Sequence, residues 1–174
     1  MDRITALTWL NIGLLLILWI FSIIAFGDLP EKIPSHFDFE GKPDRWSEKN
    51  AIEFFLLPAV LTIINIVLLI LLRFPHHYNF PHRYEVRKWP ARFQKPVYNY
   101  IKLLVLVICL LINLMFIYIQ YMIVDTSRSY PLNKSHTWLL ILIAFIWLPI
   151  MIYAVIKINK IVKEQREKLD KFER

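Results

Sequence analysis

The side chains best suited to chemistry stand at alternate positions in the stretch LPEKIPSHFDFEGKPDRWSEKN, residues 29–50: His36, Asp38 and Glu40. Strand side chains repeat every two residues, so a short strand over 35–40 would turn all three the same way. Imidazole beside carboxylate is a donor set that suits zinc, and His136 is expected on the same side of the molecule. Ligands this close in sequence, with no second His beside them, are weak grounds for a metal. Solvated loop side chains, or a His36 bonded to the turn backbone, explain them as well. The expectation is therefore no metal and no cofactor, with His36, Asp38, Glu40 and His136 as the ligand candidates. The chain has no P-loop, HExxH, GxSxG or CxxC pattern. No catalytic residue is assigned, and the chain is expected not to be an enzyme.

The same stretch reads better as a loop held in one shape. The steps Leu29-Pro30 and Ile33-Pro34 favour extended backbone, and Glu40-Gly41-Lys42-Pro43-Asp44 is a turn sequence. In this reading Pro30, Pro34, Phe37, Gly41, Pro43, Asp44 and Trp46 build the loop. His36, Asp38, Arg45 and Lys49 face outward as candidate binding residues. Phe37 and Phe39 share the other face of the strand and pack on the helix ends beside Trp46 and Trp138. Ser47 is expected to cap the following helix, with Glu48 in its first turn.

Long apolar helices must position this loop. Of the 174 residues 57% are hydrophobic, too many for an ordinary soluble domain. Four windows, 4–26, 54–72, 103–124 and 137–156, carry no charged residue, and each is near the ~20 residues that cross a bilayer. A helix buried in a soluble core would keep a polar face, which these lack. Ala25-Phe26-Gly27 faintly resembles a cleavage site, yet the apolar run before it is too long for a signal peptide, and three more spans follow. No span carries an ionisable residue near its middle, which argues against a pump or ion-coupled carrier. Asn65, Asn113 and Gln120 read as hydrogen-bonding glue between helices. Pro58 and Pro149 bend their helices, leaving neighbours to satisfy the freed carbonyls. The single cysteine, Cys109, lies within a span and reads as a small packing residue.

Orientation follows from Lys and Arg. Fourteen fall at the N-terminus, in residues 73–97 and in the tail 157–174, against six in residues 27–52 and between the third and fourth spans. The excess marks the cytoplasmic side, so both termini are expected inside and the 27–52 loop outside. The net charge of +7 is thus a topology signal, and no nucleic-acid partner is expected. Residues 73–97 alternate bases with aromatics and prolines, as a segment lying on anionic headgroups would. The tail repeats Ile158, Ile161, Val162, Leu169 and Phe172 at helical spacing, an amphipathic helix lying on the membrane or pairing with a partner.

The pattern L-P-x-x-I-P-x-H-F-x-x-x-G-x-P-D-x-W-x-x-K, from Leu29 to Lys49 between two membrane helices, resembles a small bacterial membrane domain of unknown function. That domain forms the N-terminal part of SdpI-type immunity proteins, which protect cells from a secreted toxic peptide and can hold a repressor at the membrane. The connector Arg73-Phe74-Pro75-His76-His77-Tyr78-Asn79-Phe80-Pro81 extends the resemblance. The expected architecture is a single all-α membrane domain with four transmembrane helices, an ordered outer loop containing a short strand, and a cytoplasmic amphipathic C-terminal helix. What the resemblance implies is a bacterial plasma-membrane protein with a non-enzymatic immunity or signalling role, its 29–50 loop meeting an extracellular peptide or lipid headgroup. Two alternatives stand beside it. One is an accessory subunit of a transporter or sensor, docking a cytoplasmic protein at 73–97 or 157–174. The other is a metal-dependent membrane enzyme.

Overall fold

The computed structural model describes residues 2–38, 40–129 and 137–174. Helix α1 spans Arg3–Gly27, strands β1 and β2 span Lys32–Phe37 and Pro43–Glu48, and α2 spans Ala51–Leu71. A 3-10 turn at Pro75–His77 and the short helix α3, Arg83–Val86, lead into α4, Ala91–Ser129, and α5, Thr137–Glu173. Four of the helices are long and apolar enough to cross a membrane.

Local chemistry explains these limits. Asp2 caps α1 by accepting from the Thr5 amide at 2.7 Å. Asn50, and not Ser47, caps α2, accepting from the Ile52 amide at 2.8 Å. Ser47 lies in β2 and reaches the α2 side chain Glu53 instead, at 2.9 Å. The expected strand over 35–40 is displaced: β1 starts at Lys32, ends at Phe37, and pairs antiparallel with a second strand. Bulges on both sides of His36 break the simple alternation. They sit next to Pro34, which has no amide to offer a ladder.

In the bundle α1 and α4 run parallel, since Asn11 meets Leu106 and Asn113 while Ala25 meets Val124. Helix α2 runs back antiparallel against both, and α5 packs along α4. Three layers follow along the bundle. At the hairpin end Leu29 and Ile33 are buried with Ala25, Phe54 and Val124. Phe37, expected to do this packing, is only half-buried, and Phe39 and the side chain of Trp138 lie outside the described residues.

The middle layer is polar. Asn113 donates to the Asn11 Oδ1 at 2.9 Å and accepts from Asn65 Nδ2 at 2.7 Å. Cys109 bonds the Asn65 Oδ1 at 3.2 Å, and Asn11 reaches the Leu106 carbonyl at 3.1 Å. Three helices are thus tied by amides that are essentially fully buried. Asn11 of α1 completes the set.

The third layer joins the connector to the tail. Val86, Trp89, Phe93, Val97 and Ile101 are buried together with Ile158, Val162 and Leu169. Arg166 grips Glu85 with both Nε, at 2.6 Å, and a terminal nitrogen. Residues 73–97 and the tail therefore fold on each other: of the five apolar tail residues, Ile158, Val162 and Leu169 are buried inside the chain and Ile161 packs against them, while Phe172 is exposed.

Candidate binding site at the hairpin

The hairpin is closed by its own polar side chains. Asp38 Oδ1 accepts from the amides of Glu40 and Lys42, each at 2.8 Å. The Asp38 amide donates to the Lys42 carbonyl at 2.8 Å, and the Gly41 amide to the Asp38 carbonyl at 3.0 Å. Gly41 sits at φ 68°, a conformation that side chains with a Cβ adopt at a cost. Lys42 bonds Glu40 at 2.6 Å, and that carboxylate raises the Lys42 pKa. His36 donates from Nδ1 to Asp44 at 2.6 Å. This bond holds the Asp44 carboxyl below its ordinary range.

These bonds redistribute the expected site. His36, Asp38 and Glu40 do not converge, because the strand that would have aligned them ends at Phe37. Each faces a different partner: Asp44, the turn backbone and Lys42. No three His, Cys, Asp or Glu gather as a metal site among the described residues, and His136 lies outside them.

Lys49 also turns inward. Its Nζ donates to the carbonyls of Gly27 and Leu29, at 3.3 and 3.0 Å, and lies 4.8 Å from the centre of the Phe26 ring. A cation there meets the exposed carbonyls at the end of α1. Arg128 at the end of α4 reaches Asp28 at 3.7 Å, tying a third element to the same corner. Of the four residues expected to face outward for binding, His36 and Arg45 are exposed, opposite each other across the hairpin. Trp46 is half-buried, opposite Pro34.

Beneath the hairpin lies a cleft of about 550 Å³. Ile33, Pro34, Ser35 and Ser47 roof it, and Glu53, Leu57 and Val60 of α2 form one wall. Phe116 and Ile123 of α4 form the other. Glu53, fixed by Ser47, is the charged side chain lining it among the described residues. Sequence reasoning missed this site because its walls lie more than sixty residues apart in the chain, from Glu53 to Phe116. Glu53 alone looks like an ordinary first-turn acid favouring the helix dipole.

Residues 13–62 match the family described as "Domain of unknown function (DUF1648)". The match runs from within α1 through the hairpin and Glu53 to Thr62 of α2, and so covers the roof and one wall of the cleft. The chain is also 29% identical over 169 residues to an uncharacterized protein of Archaeoglobus fulgidus, an alignment that covers 87% of this chain and 86% of that one. No solved structure matches.

Proposed function

We propose that this chain is a non-enzymatic multi-pass protein of the plasma membrane, with both termini in the cytoplasm and the hairpin outside. In this reading the hairpin and the cleft beneath it bind an amphipathic molecule arriving from the outer side, in an immunity-type or signalling role. The observation that carries the reading is the cleft, roofed by a hairpin whose polar groups bond mainly to one another. A lid stiffened in this way keeps a pocket open at little entropic cost on binding. The fourteen-to-six distribution of Lys and Arg supports the orientation. The resemblance of residues 29–49 to the SdpI-type domain supports the immunity role. The packing of the tail favours this reading over a docking subunit, since Ile158, Val162 and Leu169 are already covered.

Val60→Trp, which fills the cleft, is the test. Cells expressing the parent or the variant are challenged with a panel of secreted amphipathic peptides, with membrane abundance measured alongside. A cysteine at Lys42 in a Cys109→Ser background reports which face carries the hairpin. The expected result is external labelling of residue 42, parental abundance of Val60→Trp, and loss of peptide tolerance. If the parent alters tolerance to no peptide, or the variant protects as well as the parent, the reading falls.

A further inference from the structure

We infer that the cleft under the hairpin accepts one membrane lipid whose ammonium-bearing headgroup meets Glu53 and whose acyl chain runs between α2 and α4. The inference rests on the reading above that the hairpin end is the outer, ligand-facing end.

Polarity changes along the cleft in one direction. The polar groups of the lining, the Glu53 carboxylate and the hydroxyls of Ser35 and Ser47, are all at the hairpin end, where they stand beside Ile33, Pro34 and Ile123. One and two turns further along α2 the lining offers Leu57 and Val60, and on α4 it offers Phe116. From Glu53 to Val60 the helix advances about 10 Å. The polar mouth lies at the end of a helix long enough to cross a bilayer, where headgroups sit. The apolar part extends from there toward the hydrocarbon level. A lipid in its own leaflet has the same order of groups in the same orientation.

The sign of the headgroup follows from Glu53. An ionised carboxylate only accepts hydrogen bonds, and an ammonium group supplies up to three donors. Ser47 uses its hydroxyl on Glu53 at 2.9 Å and fixes the carboxylate at the mouth. A headgroup with only negative charge would meet a like charge at the exposed mouth, a modest repulsion that solvent and salt reduce. The cleft also has a lateral way in: Leu56 and Val60, both lining it, are 59% and 39% exposed on the α2 surface. In a bilayer that surface faces lipid, so a chain can enter sideways without crossing the hairpin.

The experiment uses the full chain in lipid nanodiscs that carry a trace of photoactivatable phosphatidylethanolamine or phosphatidylglycerol, with identical diazirine-bearing chains. Crosslinked residues are mapped by mass spectrometry. Labelling is expected around 53–60 and 116–123, stronger for the ethanolamine lipid by about three- to five-fold, the ratio one exposed ion pair supports. Glu53→Gln keeps the bond to Ser47 and should erase the preference, Glu53→Lys should reverse it, and Val60→Trp should abolish labelling. Equal labelling by both lipids, or a preference that survives Glu53→Gln, would overturn the inference. Loss of protection in Val60→Trp together with headgroup-independent labelling would keep the outward-facing binding role and remove only this assignment.

Discussion

Gly41 and Asp38 form the smallest unit on which the hairpin depends. Asp38 organises the turn by accepting two amides with one carboxylate oxygen, and Gly41 supplies the positive φ that brings those amides round. Valine, branched at Cβ, is among the residues least able to adopt that conformation. Gly41→Val is therefore expected to open the hairpin to protease in intact cells. His36→Ala removes one exposed bond between strands that remain paired, and should leave protease sensitivity close to that of the parent. Equal sensitivity of the two variants would show that the turn does not organise the hairpin.

At the scale of elements, a proline and a glutamine from different helices solve one problem. Pro58 lies inside α2 and has no amide to donate to the carbonyl of Phe54, four residues earlier. Gln120 of α4, fully buried, donates its Nε2 to that carbonyl at 3.5 Å. The expected glue between helices thus closes a gap that the proline opens. Gln120→Leu should cost about 1 kcal/mol of bundle stability. In a Pro58→Ala background, where the helix amide can satisfy Phe54 itself, the same change should cost clearly less. A cycle of thermal stabilities in detergent measures the difference, and strictly additive effects would refute the coupling.

For the molecule as a whole, the connector and the tail form one folded unit at the end opposite the hairpin. Truncation after residue 156 removes Ile158, Val162 and Leu169 from the cluster and takes Arg166 from Glu85. Trp89, Phe93 and Val97 would lose their cover, a loss of several kilocalories per mole by the area that such side chains bury. The truncated chain is expected at markedly lower abundance. Unchanged abundance with an unchanged melting temperature would mean that the cluster contributes little.

Much of this was legible because it depends on local chemistry. Four uncharged windows predict four long helices, since backbone amides in hydrocarbon must bond within their own segment. Gly41 beside Pro43 predicts a turn, because glycine is the residue for positive φ. The cap of α2 was legible in principle: Asn50 stands directly before the helix and caps as well as serine does. A cap at Ser47 would leave no room for a strand over Pro43–Glu48, whereas the cap at Asn50 leaves that room.

What only the tertiary structure decided is partnership, which no single segment encodes. His36, Asp38 and Glu40 alternate in sequence, but two bulges and the end of β1 at Phe37 give them separate partners. Lys49 looks like a surface cation until the end of α1 is brought beside it. Phe116 is one of many apolar residues on α4 until a roof from the hairpin and a wall from α2 enclose the space before it. Periodicity reports which residues leave water and turn residues report where the chain reverses. Which groups then meet is set by close packing between elements distant in sequence, and the cleft exists only there.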